Sequence, residues 1–336
     1  MIKEATRIIA GLSDLTIPQM ESAMGEIMSG EAGTDDIVSF LRALSKKGES
    51  IDELTAAVRV MRRFATRINT AHKVILDTCG TGADKRGTFN ISTVVAFVVS
   101  GSGVAVAKHG NRSVSSKSGS ADILEALGVN INMGRDRVEA SLNEAGIAFL
   151  FAQDFHPAMK YAMQARRQIQ ERTIFNLIGP LTNPAQATHQ LLGVFDRRWV
   201  ETLAKVLANV GTAHALVVHG SDGLDEITTT GSSFISEEKE GIIKNFEVSP
   251  EDFGFKRASL NSLSGGEAKE NAKILLEILK GEKGSRYDIV IMNAAAALYA
   301  ADSVSSINEG VKLAEESIRS KSALNKLMLL KEYSNK

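Results

Sequence analysis

The first 70 residues place apolar side chains only at helical spacing. Apolar positions recur every three or four residues in four segments, residues 2–12, 16–30, 34–48 and 50–68, and this spacing is typical of amphipathic helices. Short polar or glycine-containing turns separate the segments. The pattern therefore predicts a small helical bundle at the N-terminus.

From Lys73 onward, short apolar runs alternate with helical patterns. Short apolar runs bounded by turn residues are typical of buried strands, and their alternation with helices predicts a mainly parallel sheet covered on both faces. The predicted strands are residues 73–77, 103–110, 147–153, 190–195, 214–220 and 287–292, and the predicted helices include residues 92–101, 120–128, 197–211 and 266–281. Residues 231–262 are predicted to form a polar hairpin followed by a loop.

Composition and charge exclude several classes of partner. The 336-residue chain has a formal net charge of −1, so nothing overall indicates binding to nucleic acid or to an anionic membrane surface. Cys79 is the only cysteine and cannot form an internal disulfide, which is typical of a reducing compartment. The N-terminus lacks the apolar core of a signal peptide, and no apolar run is long enough to span a membrane. We therefore expect a soluble, cytoplasmic protein.

The segment DTCGTGADKRGTFNIST, residues 77–93, follows the first predicted strand. Its glycines allow positive φ angles and close approach of a ligand to the backbone. Asn90, Ser92 and Thr93 are natural N-cap residues for the next helix, and a glycine-rich turn before a helix N-terminus favours phosphate binding. The segment fits neither the Walker nor the Rossmann pattern, and a flexible connection before a capped helix is the alternative.

A second strand–loop–helix junction is KHGNRSVSSKSGSADILEALG, residues 108–128. Lys108 and Arg112 can neutralise phosphate charge, and the serines of the segment offer hydroxyl groups. Taken alone, this segment also fits a solvated basic loop. Two such junctions in one sheet together favour a ligand with two phosphate groups.

Asp225 and Glu226 form an adjacent acidic pair in a glycine-containing loop after a predicted strand. Two carboxylates suit Mg²⁺, which takes one or two carboxylates together with phosphate oxygens of a substrate. An acidic pair on a surface turn is the alternative. The position at the carboxyl end of a strand, where ligands bind in such sheets, favours the metal site.

Arg166 lies on a predicted helix that begins after Pro157. Its planar guanidinium can hold a carboxylate through two hydrogen bonds, although Arg166 and Arg167 also fit a solvated helix face. The sequence GPLTNP, residues 179–184, predicts a rigid turn. Neither Cys79 nor the histidines show the spacing of a catalytic pair or a metal site.

These four segments, after a helical N-terminus, resemble the anthranilate phosphoribosyltransferase family of tryptophan biosynthesis. The resemblance covers about residues 5–330, and KHGNRSVSSKSGSADILEALG is its most specific motif. It implies the Mg²⁺-dependent transfer of phosphoribose from phosphoribosyl pyrophosphate (PRPP) to the amine of anthranilate. The products of this pentosyl transfer are N-(5-phosphoribosyl)anthranilate and pyrophosphate.

The same resemblance implies the nucleoside phosphorylase-like phosphoribosyltransferase fold, which is an α/β fold with a small N-terminal helical domain. The helical domain would comprise residues 1–70 and be joined by a returning helical segment near residues 158–185. Residues 71–157 and 186–336 would form the α/β catalytic domain. A homodimer formed through the helical domain is also implied.

Site residues follow from the positions that match the family motifs. Those implied to bind PRPP are Gly80, Ala83, Asp84, Thr88, Asn90, Ile91, Ser92, Thr93, Lys108, His109, Gly110, Asn111, Arg112, Ser113, Val114, Ser115, Ser116 and Ser120. Those implied to hold anthranilate are Gly80, Asn111 and Arg166, with His109 nearby, and the implied Mg²⁺ ligands are Ser92, Asp225 and Glu226. Two Mg²⁺ ions are expected with substrate bound, and no residue is expected to act as a nucleophile or general acid–base catalyst.

Ala83 is the one departure from the family pattern, because the family usually has GTGGD where this chain has GTGAD. If that residue needs a positive φ, alanine costs on the order of 1 kcal/mol. The departure affects the expected geometry and affinity of the phosphate site more than the reaction.

Three other functions fit parts of the sequence. A pyrimidine nucleoside phosphorylase shares the architecture, but it has no use for the acidic pair as a pyrophosphate–metal site. A nucleic-acid-binding protein on this scaffold should show a basic surplus, which a net charge of −1 does not provide. The sequence hardly distinguishes this family from a relative that uses another aromatic amine as the acceptor, since Arg166 and Asn111 suit any ortho-amino-carboxylate.

Overall fold

The computed structural model describes residues 1–82, 84, 86–113 and 117–336. Its α-helices, numbered along the chain, are α1 (Ile2–Ala10), α2 (Ile17–Ser29), α3 (Thr34–Lys47), α4 (Ile51–Phe64), α5 (Ile91–Gly101), α6 (Ser120–Ala126), α7 (Arg135–Ala140), α8 (Ala152–Phe155), α9 (Lys160–Ile169), α10 (Ile174–Ile178), α11 (Val200–Asn209), α12 (Ala268–Leu279), α13 (Ser285–Ala300), α14 (Ile307–Arg319) and α15 (Ser322–Asn335). Among the residues so described, no helix is both long enough and apolar enough to cross a membrane.

The four predicted N-terminal helices are confirmed as α1 to α4. In their interior the fully buried carboxylate of Glu53 accepts hydrogen bonds from the Leu15 N–H (2.9 Å) and from Lys47 Nζ (2.8 Å). Helices α9 and α10 pack against α2, α3 and α4. This packing supports the return of residues 158–185 to the helical domain, and the division at residue 70 stays our proposal.

One seven-stranded sheet forms the centre of the larger part of the described chain, in the order β3-β2-β1-β4-β5-β6-β7. Its strands are β1 (Ile75–Asp77), β2 (Ala105–Gly110), β3 (Ile147–Phe151), β4 (His189–Gly193), β5 (His214–Gly220), β6 (Ser233–Lys239) and β7 (Ile242–Val248). The first five pair in parallel, while β6 and β7 form an antiparallel hairpin on the β5 edge. The predicted mainly parallel α/β sheet and the polar hairpin are therefore confirmed.

The strand order reverses between β1 and β4. From β1 the chain moves outward through β2 to β3, and it then returns to place β4 on the other side of β1. In parallel sheets the crevice beyond the carboxyl ends at such a reversal is the usual ligand site. The glycine-rich segment after β1 lies at this crevice.

The predicted strand at residues 287–292 is wrong, because these residues lie within the helix α13. Residues Ile289 to Met292 are all fully buried, so the helix carries no polar face that would show a helical period. A short, uniformly apolar run cannot be assigned to strand or helix from its pattern alone. The alanine-rich sequence that follows, residues 294–297, favours the helix.

The sheet separates two apolar cores. On one face, Leu216 and Val218 of β5 pack in a core shared with α5, α12 and α13. On the other face, Ala215 and Val217 of the same strand pack in a core shared with α11 and the N-terminal helices. The alternation along β5 is the period of two that a strand requires, and it positions the carboxyl ends of the strands between the two layers.

Candidate active site

The glycine-rich segment packs directly against the end of β4. The Thr81 N–H donates to Gly193 O (2.9 Å), and the Gly82 N–H donates to Asp225 Oδ2 (2.7 Å). A Cβ atom on Gly80 would lie 3.1 Å from Asp225 Oδ2 and 3.2 Å from Gly193 O. Glycine at position 80 thus permits close approach of the backbone to the acidic loop, and glycine at position 82 favours its positive φ of 63°.

Asp84, Asp225 and Glu226 form an acidic cluster at this crevice. Burial and then the charge of Asp84 raise the pKa of Asp225, and burial and then the charge of Asp225 raise the pKa of Glu226. Burial also raises the pKa of Asp84. The positive charges of Arg86 near Asp84 and of Lys108 near Glu226 offset these shifts only in part.

Lys108 is a buried cation whose charge acts on Glu226 of this cluster. Its side chain is 4% exposed, and its Nζ donates to Thr78 O (3.3 Å), Thr78 Oγ1 (3.2 Å) and Ser92 Oγ (3.3 Å). The backbone N–H of Ser92 lies against the carboxylate of Glu226. The structure thus brings the predicted residues Ser92, Lys108 and Glu226 together.

These groups fit Mg²⁺. The available donor atoms are carboxylate and hydroxyl oxygens, which are the ligands that a hard cation prefers. Burial and then the neighbouring carboxylate raise the pKa values of Asp225 and Glu226, so the negative charge of the ionised cluster is only partly balanced by its surroundings. A divalent cation would remove this imbalance.

Asp77, at the end of β1, binds the end of β2, from which the second predicted phosphate-binding segment continues. Its Oδ1 accepts the His109 N–H (3.1 Å), and its Oδ2 accepts Nδ2 of Asn183 (2.7 Å). Burial raises the pKa of the fully buried Asp77 to about 6. The GPLTNP turn therefore supplies a donor to the sheet as well as a bend in the chain.

The loop after β2 is held by α6. Asp122 accepts the N–H groups of Ser113 (3.1 Å) and Gly119 (2.8 Å). The Arg112 guanidinium pairs with Asp122 (3.0 Å) and with Glu125. A phosphate at Arg112 would have to compete with these two carboxylates, so its role stays a prediction.

Several other predicted donor-site residues have side chains that are buried or absent. The side chains of Ile91 and Thr93 are almost fully buried, and a Cβ atom on Gly110 would overlap Ser120 Oγ. Thr88 lies before α5 in a β-bridge with Ser264. The predicted residues Ala83, Val114, Ser115 and Ser116 lie outside the described residues.

His109, in β2, and Asn111, directly after it, are two residues that the resemblance implies near the acceptor. The rings of His109 and His156 are 5.1 Å apart between centroids, and burial lowers the pKa of both, that of His156 to about 4. Neither ring nitrogen of His109 has a partner among the described residues. Asn111 follows directly after β2 and receives a hydrogen bond from Gln153 (3.3 Å).

Arg166 is partly buried on α9, whereas Arg167 is exposed. Its guanidinium lies over the ring of Phe175, 5.5 Å from the centroid, and burial lowers its pKa. No carboxylate in the described part of the chain pairs with it. Arg166 is therefore the more enclosed of the two arginines, and its role toward the acceptor carboxylate stays a prediction.

Comparison with known proteins decides the family. Residues 4–65 match the helical bundle domain of a glycosyl transferase family, and residues 72–324 match its a/b domain. The anthranilate phosphoribosyltransferase of Petrotoga mobilis is 48% identical over 329 residues, which are 98% of this chain and 95% of that protein. The chain belongs to the anthranilate phosphoribosyltransferase family.

Solved members of the family have the same fold. The enzyme from Thermus thermophilus superposes with a TM-score of 0.94 at 40% identity, and the match covers 99% of each chain. The Saccharomyces cerevisiae enzyme has been solved in complex with PRPP and Mg, and it matches with a TM-score of 0.90 at 28% identity over 99% of this chain and 98% of its own. The same yeast enzyme has also been solved with 4-fluoroanthranilate.

Two residues of this site cannot be found from the sequence. His156 shows there only as the residue before Pro157, and its contact with His109 depends on two segments that the fold brings together. Asn183 shows there only as a turn residue, and its bond to Asp77 spans 106 positions. A buried imidazole or amide that acts through such a distant contact gives no local pattern in a sequence.

Proposed function

We propose that this chain is an anthranilate phosphoribosyltransferase, which transfers phosphoribose from PRPP to the amine of anthranilate in tryptophan biosynthesis. The observation that carries the proposal is the acidic cluster of Asp84, Asp225 and Glu226 beside Ser92 and Lys108, at the reversal of the strand order. Membership of the family supports the same activity.

The residues around the crevice fit the donor. In the reaction, the amine nitrogen forms a bond to C1 of the ribose while the bond to pyrophosphate breaks, and the amine proton passes to solvent. Negative charge therefore grows on the leaving group, and we assign its stabilisation to Lys108 and the N-terminus of α5, which meet at Ser92. We assign Ser92, Asp225 and Glu226 as Mg²⁺ ligands, with two ions in the substrate complex; bound Mg²⁺ would supply charge neutralisation of the pyrophosphate.

The acceptor side fits an aromatic carboxylate. The rings of His109 and His156 are neutral at physiological pH because burial lowers their pKa values. They therefore provide an uncharged surface against which an aromatic ring can pack. Arg166 supplies the charge for the acceptor carboxylate, and Asn111 supplies an amide. The amine of anthranilate is neutral at pH 7 and needs no strong base, so catalysis would rest on positioning and on stabilisation of the leaving group.

We also propose a cytoplasmic homodimer formed through the helical domain. Leu12 is 68% exposed and Met1 is 53% exposed, which leaves apolar surface on this part of the chain for a second copy to cover. Light scattering during gel filtration would test this: a monomer at micromolar concentration would contradict it.

The activity is tested by the loss of anthranilate fluorescence on mixing the protein with PRPP and Mg²⁺. We expect a decay that EDTA stops. A folded protein without decay would contradict the proposal, and other aromatic amines, and then inorganic phosphate with thymidine or uridine, would be tried as substrates.

A further inference from the structure

The loop before α5 is held from outside by residues 263–266. The Phe89 N–H donates to Leu263 O (3.2 Å), and the Gly265 N–H donates to Gly87 O (2.9 Å). A Cβ atom on Gly265 would lie 2.6 Å from the backbone of Phe89. The two segments are thus in direct backbone contact, and we call residues 263–266 the brace.

Asn271, in the first turn of α12, connects the brace to the start of α5. Its side chain is 3% exposed. Its Oδ1 accepts the Gly266 N–H (2.8 Å), and its Nδ2 donates to Asn90 Oδ1 (2.9 Å). Nδ2 of Asn90 in turn donates to Ser118 O (3.0 Å). A line of amide hydrogen bonds therefore runs from the brace through Asn90 to the loop after β2.

The two ends of this line fix the orientation of both amides. A backbone N–H can only donate, so Asn271 must present Oδ1 to Gly266 and Nδ2 to Asn90. The carbonyl of Ser118 can only accept, so Asn90 must present Nδ2 to it and Oδ1 to Asn271. Both amides then have one arrangement that satisfies all partners.

We propose that Asn271 is a positioning residue for PRPP. By holding Asn90, it sets the spacing between the loop before α5 and the loop after β2. The inference rests on the proposed function, because it takes these loops as the donor site. Asn271 lies behind the loops and touches Asn90 rather than the crevice, so its effect on the reaction passes through Asn90.

An aspartate at this position would disrupt the line specifically. Asn271→Asp keeps the shape of the side chain and the acceptor for Gly266, but it turns an acceptor toward Asn90 Oδ1. Asn90 must then either face a carboxylate with its own oxygen or rotate its amide and lose the bond to Ser118. The first outcome breaks the link between the brace and Asn90, and the second breaks the link between the two loops.

The test is steady-state kinetics of Asn271→Asp with each substrate varied, together with its melting temperature. We expect the KM for PRPP to rise about tenfold, the size of one lost buried hydrogen bond, while the KM for anthranilate stays within about twofold. Asn308→Asp, an exposed residue on α14, is the matched control and should behave like the parent. Unchanged KM values in the folded variant, or equal rises in both with a lower melting temperature, would overturn the inference.

A second variant covers the case in which Asn271→Asp does not fold. Nη2 of Arg286 donates to Ser264 O (2.7 Å) from α13 and so holds the brace on its outer side. Arg286→Ala should raise the KM for PRPP about threefold with little change for anthranilate; no change would overturn the inference.

A binding measurement separates this inference from the proposed function. Calorimetric titration with pyrophosphate and Mg²⁺ requires no turnover. If the parent protein does not consume anthranilate, the proposed function fails, but about tenfold weaker pyrophosphate binding by Asn271→Asp would still support the positioning role. Equal affinity of the folded variant and the parent would overturn it.

Discussion

Asn183→Asp is expected to make the stability of the protein strongly dependent on pH. The parent Asn183 donates to Asp77 Oδ2 (2.7 Å) and accepts the Ala185 N–H (2.8 Å). The substitution keeps the shape and the acceptor, but it places a second carboxyl group against Asp77. Two carboxylates this close cannot both ionise in a buried site, so the folded variant should hold one proton that the unfolded chain has released.

The magnitude follows from that proton. For each pH unit over which the folded state binds one extra proton, the free energy of unfolding falls by about 1.4 kcal/mol as the pH rises. In the parent, burial raises the pKa of Asp77 from 3.8 to about 6. The free energy of unfolding of the parent therefore falls as the pH rises between these two values, and it changes little at higher pH. From pH 6 to pH 8 the variant should therefore lose about 2–3 kcal/mol more than the parent. At both pH values it should also be about 1–2 kcal/mol less stable, because Asn183 Nδ2 no longer donates to Ala107 O (2.8 Å).

Urea denaturation near pH 6 and pH 8 measures this difference, followed by the fluorescence of Trp199, the only tryptophan, and by circular dichroism. Asn308→Asp provides the control for an exposed asparagine changed in the same way. A loss of stability in Asn183→Asp that is equal at the two pH values would refute the reasoning, since it would show that no proton is shared with Asp77.

Other substitutions test separate parts of the site and fold. Arg166→Ala should raise the KM for anthranilate at least tenfold, far more than the KM for PRPP, because it removes a charged hydrogen bond to the acceptor alone; equal rises in steady-state kinetics would remove its assigned role. Asp225→Asn with Glu226→Gln should abolish Mg²⁺ dependence and most activity, and unchanged turnover across an Mg²⁺ titration would place the metal elsewhere. Glu53→Ala should cost about 3 kcal/mol in urea denaturation, because Lys47 and the Leu15 N–H lose a buried partner; a loss below about 1 kcal/mol would contradict this.

Much of the fold and the general position of the site could be predicted from the sequence. Helical spacing identifies α1 to α4, and short apolar runs identify β1 to β5. Because the carboxyl ends of parallel strands meet at one edge, the segments that follow β1, β2 and β5 can be expected to converge there. The contacts of Ser92 with Lys108 and Glu226 are consistent with that expectation.

Contacts that depend on distant parts of the chain could not be predicted. Asn90 and Asn271 are 181 positions apart, and no spacing rule relates two single amides at that distance. The pairing of Arg112 with Asp122 and Glu125 depends on how the loop after β2 folds back on α6. The helix α13 escapes prediction for a different reason, since burial on all sides removes the periodic pattern that would identify it.

The most direct test of the proposed activity is product analysis by mass spectrometry after incubation with anthranilate, PRPP and Mg²⁺. We predict N-(5-phosphoribosyl)anthranilate and pyrophosphate in equal amounts, no product when EDTA is present, and only a small fraction of either product when Asp225→Asn and Glu226→Gln are combined. Folded parent protein that forms neither product, or a double variant that forms both at the parent rate, would contradict the assignment of the reaction to this site.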